Sequence, residues 1–291
     1  MSPRRALSVR VLGDEHKEAL AGLLGNVSYE VMPFRSAEEQ VLAHVPTDIP
    51  LTATVTGGKG VEPTIRLATA LAGQGYAIAP HLPARMVHDA LELDEILSRL
   101  EDAGIDRLFV IGGDVDEQAG EFPDALSLLT AMRERGHAFS TLGIAGYPEG
   151  HAFVAADVMA AALRNKAPLA TALLTQICFD ADTVVRWAAD VADDGIELPI
   201  HVGIPAPASR QKLVRISAGL GLGQSANFLR KQRSMLWRFF TPSGYDPTRL
   251  VVGLARALPG SATRISGLHV FTFNEFAGTE SWRRDLLAQL S

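Results

Sequence analysis

Eight short apolar runs, at 27–32, 51–55, 76–79, 107–111, 141–145, 172–176, 200–203 and 268–273, each end in a polar or glycine-rich cluster. Every run is too short for a helix, rich in β-branched or aromatic residues, and bounded by Gly or Pro, which is the pattern of a strand buried on both faces. Between them lie stretches of helical spacing at 62–71, 87–100, 125–135, 154–163 and 183–191. Strand and helix therefore alternate along the chain, which predicts an α/β fold with a parallel sheet. Eight such units predict a (β/α)8 TIM barrel whose functional residues gather at the C-terminal strand tips.

The chain has 291 residues, 47% hydrophobic and 21% charged, enough for one large core. The expectation is a single barrel domain over 1–291. Residues 1–26 read as a leading arm with a short helix at 15–24 that stops at Gly25. The stretch 205–267 is too long for one crossover, and predicts extra helices between strands 7 and 8 at 210–218, 227–240 and 247–258. A net charge of −6 gives no electrostatic reason to expect nucleic acid or an anionic membrane as partner. The single cysteine, Cys178, rules out an internal disulfide. No run reads as a signal peptide or a membrane span, so the expectation is a soluble, cytoplasmic protein.

The strand tips carry Glu30, Thr54, His81, Asp114, Tyr147, His151, Gln176 and Asn274. None of the His and acidic residues has the close spacing of metal ligands, so no metal is expected. Cys178 alternates with Gln176 inside a strand-like run and reads as a small buried hydrophobe rather than a nucleophile. The glycines at 57–60 lack phosphate-loop spacing, and those at 219–223 do not follow a strand as a dinucleotide fingerprint must. The informative pair is acidic, Glu30 at the end of the first strand and Asp114 at the end of the fourth. A carboxyl in a largely apolar barrel mouth is held above its usual pKa and becomes a general acid, or else it is a structural group satisfied by loop amides.

Six segments, in order, carry a family likeness. Ser28-Tyr29-Glu30-Val31-Met32-Pro33 resembles Ser-Phe-Glu-Phe-Phe-Pro, and Ala79-Pro80-His81-Leu82 matches Ala-Pro-His-Leu. Gly113-Asp114 stands where the family has Arg-Gly-Asp, and Tyr147-Pro148-Glu149-Gly150-His151 resembles Tyr-Pro-Glu-x-His. Thr175-Gln176-Ile177-Cys178-Phe179-Asp180 resembles Thr-Gln-Phe-Phe-Phe-Asp, and His269-Val270-Phe271-Thr272-Phe273-Asn274 resembles His-Phe-Tyr-Thr-Leu-Asn. Together they make the chain similar to the methylenetetrahydrofolate reductase family.

The resemblance implies reduction of 5,10-methylenetetrahydrofolate to 5-methyltetrahydrofolate, with hydride from NADH or NADPH passed through bound FAD. It implies Glu30 as the acid that protonates folate N10, and Asp114 as a carboxylate beside the pterin and the cationic intermediate. It further implies Gln176, Phe271 and Asn274 as substrate contacts, and Thr54, His81, Gly113, Phe122, Tyr147, His151 and Arg164 as flavin contacts. The departures fall on the flavin side: Gly112 replaces the arginine of Arg-Gly-Asp, Ala161 replaces an asparagine, and the segment around Arg164 is shortened and altered. Each lost charge-assisted contact is worth about 1.5–3 kcal/mol, which predicts weak or absent FAD. Arg230, Lys231, Arg233 and Arg238, interleaved with aromatics, read as the solvated face of an amphipathic helix, or as an electropositive lip for an anionic substrate tail. Two other functions remain compatible with a kept pterin pocket: a folate-dependent methyltransferase or partner subunit, and a non-catalytic folate-binding protein.

Overall fold

The computed structural model describes residue 9 and residues 11–56, 60–113, 115, 117–151, 154–208 and 245–290. Helix α1 (Asp14–Gly25) precedes the first strand. Then follow β1 (Val27–Val31), α2 (Ala37–His44), β2 (Leu51–Ala53), α3 (Glu62–Gly73), β3 (Ile78–Pro83) and α4 (Ala90–Asp102). The middle of the chain forms β4 (Arg107–Ile111), α5 (Ala125–Arg135), β5 (Thr141–Gly146), α6 (Ala156–Lys166), β6 (Ala172–Thr175) and α7 (Ala181–Asp193). It closes with β7 (Ile200–Pro205), α8 (Thr248–Ala257), β8 (Ile265–Phe271) and α9 (Phe276–Leu287). Each strand pairs in parallel with the next, and β8 pairs with β1, so the eight strands form the closed barrel that the alternation predicted.

All eight apolar runs are strands, and β4 and α5 have the expected bounds. The third strand is displaced, from 76–79 to Ile78–Pro83, because Pro80 and Pro83 lie within it although a proline read alone marks a break. Helices α2 and α9 were not expected. Only Ala37 and Val41 are buried in α2, and the apolar stripe of α9 is interrupted by buried Thr279 and Glu280, so neither shows a clear amphipathic period. Of the three helices expected in the late insertion, 247–258 is α8, while 210–218 and 227–240 lie outside the described residues, as does the basic cluster at Arg230–Arg238. No helix among the described residues is long and apolar enough to cross a membrane.

Helix N-termini face the rim that the strand tips form, and several are fixed by short acidic side chains. Asp89, Asp124 and Asp180 accept from the backbone N–H groups of Glu92, Ser127 and Thr183 at the starts of α4, α5 and α7. Such caps supply the partners that the first helical turn cannot find within the helix.

The orientation of β1 follows from its odd members. Tyr29 reaches outward, its hydroxyl donating to Glu280 of α9 at 2.7 Å, so Ser28 and Glu30 on either side face the barrel axis. Register then carries this face around the sheet: Glu30 lies beside Thr52 and Phe271, Ser28 beside His269, and His81 beside Phe109. His201 and Gly203 of β7 lie beside Gly267 and His269. Branched apolar side chains usually fill such an interior. Here part of it is lined by hydroxyls, imidazoles and glycines.

Candidate active site

Glu30 stands one residue from the end of β1, with 7% of its surface exposed. Its backbone carbonyl accepts from the Thr272 hydroxyl, which ties the tip of β1 to the end of β8. Among the described residues no side chain or backbone group bonds its carboxyl, and burial alone pushes its pKa up to about 8. A carboxyl in this state is protonated at neutral pH and can donate.

Below and beside it lies a cluster of neutral imidazoles. His81, at 6% exposure, has its pKa pushed down to about 3 by burial, and its ring packs 4.7 Å from that of Phe109. His269 is held well below the usual histidine range, first by burial and then by the nearness of His81 and His201, and its Nδ1 lies 2.9 Å from the Ser28 hydroxyl. Burial also lowers His201. Nε2 of His81, Nδ1 of His201 and the Thr52 hydroxyl are buried without a partner among the described residues. Buried polar atoms of this kind are nearly always satisfied, so they mark places where a bound ligand or water completes the bonding. Reading the sequence did not single out Ser28, Thr52, His201 or His269 as interior groups. The i, i+2 spacing of Ser28 with Glu30 was the available signal.

The other expected residues fall into three groups. Thr54, Phe271, Asn274, Tyr147, His151 and Gln176 are brought to the strand tips. The Tyr147 and His151 rings meet edge to face at 5.2 Å, and Phe271 sits opposite Glu30 with its ring 5.0 Å from that of His269. Asn274 uses its amide on the backbone: Oδ1 accepts from Met32 N–H at 2.8 Å and Nδ2 donates to Met32 O at 2.9 Å. To do so Phe273 and Asn274 take φ of 51° and 59°, a left-handed pair that is strained for the phenylalanine. Asn274 thus braces the segment just past Glu30.

The second group is Phe122 and Arg164, whose side chains are engaged with other parts of the protein. Phe122 is buried in the apolar core. Arg164 pairs with Asp194 at 2.9 Å. Asp194 directly follows α7 and precedes β7, which puts this pair at the N-terminal end of the strands, away from the tips. The third group is Asp114 alone, which lies outside the described residues.

The residues on either side of Asp114 are tied to the segment that follows β3. Arg85, just past β3, takes Gly112 O on its backbone N–H at 3.0 Å, gives its own carbonyl to Ala119 N–H at 2.8 Å, and donates Nε to Val115 O at 3.1 Å. Gly113 has φ of 94°, and a Cβ there would press on Pro83 at 3.0 Å. Further on, Glu121 N–H donates to His88 O at 2.8 Å, and the Gly120 backbone lies so close that a Cβ would meet that oxygen at 1.7 Å. Gly120→Ala must therefore move the backbone, and a destabilisation of about 1–3 kcal/mol is expected, read as a lower Tm. An unchanged Tm would show that this clasp does not hold the loop.

The family model for methylenetetrahydrofolate reductase matches residues 28–221, more than half of the chain. The chain is 25% identical over 260 residues to methylenetetrahydrofolate reductase 2 of Saccharomyces cerevisiae (strain ATCC 204508 / S288c). That match takes in 80% of this chain but 37% of the yeast protein, so the chain spans little more than a third of the length of this relative. Among solved structures a monomeric dihydrodipicolinate synthase variant is 13% identical, over 91% of this chain and 96% of that one, with a TM-score of 0.39. This second likeness is too distant to bear on function.

Proposed function

The chain belongs to the methylenetetrahydrofolate reductase family, and from that premise we propose that it reduces 5,10-methylenetetrahydrofolate to 5-methyltetrahydrofolate with hydride from NADH or NADPH. The observation that carries this reading is the Glu30 carboxyl, buried at a strand tip, free of hydrogen bonds among the described residues, and raised by burial to a pKa of about 8.

In this mechanism Glu30 gives its proton to folate N10, the bond between N10 and the bridging carbon breaks, and a cationic 5-iminium forms. Hydride then adds to that carbon and completes the methyl group, leaving Glu30 as a carboxylate to be reprotonated from solvent. Asp114, from the loop braced by Arg85, supplies negative charge beside the cation, and Gln176 hydrogen-bonds the pterin. His81, neutral because burial depresses its pKa to about 3, adds no positive charge that would oppose the iminium.

The residues present do not fit a tightly held flavin. Gly112 offers no side chain where the family has arginine, Ala161 offers only a methyl group where it has asparagine, and Arg164 is engaged with Asp194 at the far end of the barrel. Tyr147, His151, Thr54 and His81 remain at the rim, where a nicotinamide ring would lie beside the pterin. We therefore assign the hydride transfer to the nicotinamide directly.

The test is oxidation of NADH or NADPH that depends on 5,10-methylenetetrahydrofolate. A methyltransferase subunit or a passive folate binder would show none, and its absence would remove the reductase reading. The pH profile gives a second check. The acid form of Glu30 is the active one, so kcat/KM should be level below its pKa and fall tenfold per pH unit above about 8. A profile flat to pH 10 would mean that Glu30 is not the proton donor.

A further inference from the structure

The loop after β6, residues 176–180, carries Gln176 and leads into α7, and every backbone N–H in it has a partner. Gln176 N–H donates to Gly146 O and Cys178 N–H to Gly203 O, each at 2.8 Å, while Ile177 N–H donates to the Gln176 side chain at Oε1, also at 2.8 Å. The remaining two, Phe179 and Asp180, both donate to one oxygen of Glu149, at 2.7 and 3.1 Å. Glu149 belongs to the neighbouring rim loop, the one after β5.

The end of β5 therefore grips this loop at two points, Gly146 at its start and Glu149 at its close. The second grip is charge-assisted and lies at the N-terminus of α7, where a carboxylate is also favoured by the helix dipole. Without it the segment loses its charge-assisted close, and the Ile177 N–H that sets the Gln176 amide is left to the backbone bonds of Gln176 and Cys178 on either side of it. With Oε1 held by Ile177 N–H, the amide is oriented and its NH2 is the donor that Gln176 can offer to a pterin.

We propose that Glu149 is a positioning residue for Gln176, and through it for the pterin ring of the folate. The proposal rests on the reductase reading for its ligand, but on the loop geometry for its mechanism.

Glu149→Ala is expected to raise KM for 5,10-methylenetetrahydrofolate about tenfold while KM for the nicotinamide stays within about twofold, because only one substrate meets Gln176. Glu149→Gln keeps an acceptor oxygen and should recover most of that loss. In a double-mutant cycle, Glu149→Ala should add little to Gln176→Ala, since both remove the same contact. Equal losses for both substrates, no recovery with glutamine, or additive effects in the cycle would each overturn the proposal. Binding of 5-methyltetrahydrofolate, followed by titration calorimetry on the same variants, separates this from failure of the reductase reading. If the wild type binds the folate without oxidising NADH or NADPH, the reductase reading fails and the same pattern in Kd decides the role of Glu149. A wild type that binds no folate overturns both.

Discussion

Glu30→Gln is expected to lower turnover by about 10²–10⁴-fold while folate affinity stays within a few-fold of the wild type. The amide has the shape of the acid and can still hydrogen-bond, but it has no proton to give to N10. The size of the loss follows from the task. Ring opening converts a neutral aminal into an iminium cation, and without protonation N10 would have to depart as an anion. Glu30 is suited to prevent this because of where β1 puts it. A solvent-exposed glutamate, with an ordinary pKa near 4.3, would be about two parts in a thousand protonated at neutral pH, whereas burial raises this one to about 8 and keeps the acid form dominant. The variant should be at least as stable as the wild type at alkaline pH. The native state holds the Glu30 proton to about pH 8 and the unfolded chain releases it near the ordinary glutamate value of 4.5, so stability declines as pH rises through that window in the wild type and not in the amide. Near-normal turnover for Glu30→Gln would remove the residue from the chemistry. An intact rate with a changed pH dependence of Tm would leave it a purely structural carboxyl.

The strands and the rim were legible in the sequence because they depend on local pattern. Runs of Val, Ile and Leu bounded by Gly or Pro can serve little else than a buried parallel strand, and their tips are where a barrel exposes polar residues. Glu30 was visible on those terms. The surroundings that raise its pKa were not, because which of Ser28, Tyr29 and Glu30 face the axis depends on pairing with β2 and β8, and a shift of one residue would turn the whole set outward. The same holds for His201 and His269, which burial inside the barrel holds below the usual histidine range, with the nearness of His81 and His201 adding to the effect on His269. Arg164 illustrates the opposite case. Its place in the sequence suggested a flavin contact, and only the tertiary structure shows its guanidinium bound to Asp194, thirty positions later. Phe122, in the rim-side loop between β4 and α5, turns its ring into the apolar core. Short helices such as α2 escaped notice because two buried residues do not make a period.

The protein is expected to purify without stoichiometric FAD and to show kinetics in which both substrates are bound together. A flavin acts as a shuttle: the nicotinamide reduces it and leaves before folate binds, which gives parallel double-reciprocal lines. Direct transfer requires a ternary complex and gives intersecting lines. The sequence bears on this choice through two missing polar side chains. A dinucleotide's pyrophosphate is held by charge-assisted bonds of about 1.5–3 kcal/mol each, so losing two of them weakens binding by roughly two to four orders of magnitude. Gly112 and Ala161 supply no such bond, and freeing Arg164 would break its pair with Asp194 and carry the side chain from the far end of the barrel to the tips. The rim carries groups that direct transfer could use, a buried carboxyl at Glu30 and flat surfaces at Tyr147, His151 and Phe271 against which a nicotinamide and a pterin could be held with donor and acceptor carbons about 3–3.5 Å apart. Activity should therefore be present in protein stripped of flavin and unchanged when FAD is added. A yellow protein with one FAD per chain, or a rate that appears only on adding FAD, would return the hydride to a flavin route and leave the rim residues to hold that cofactor instead.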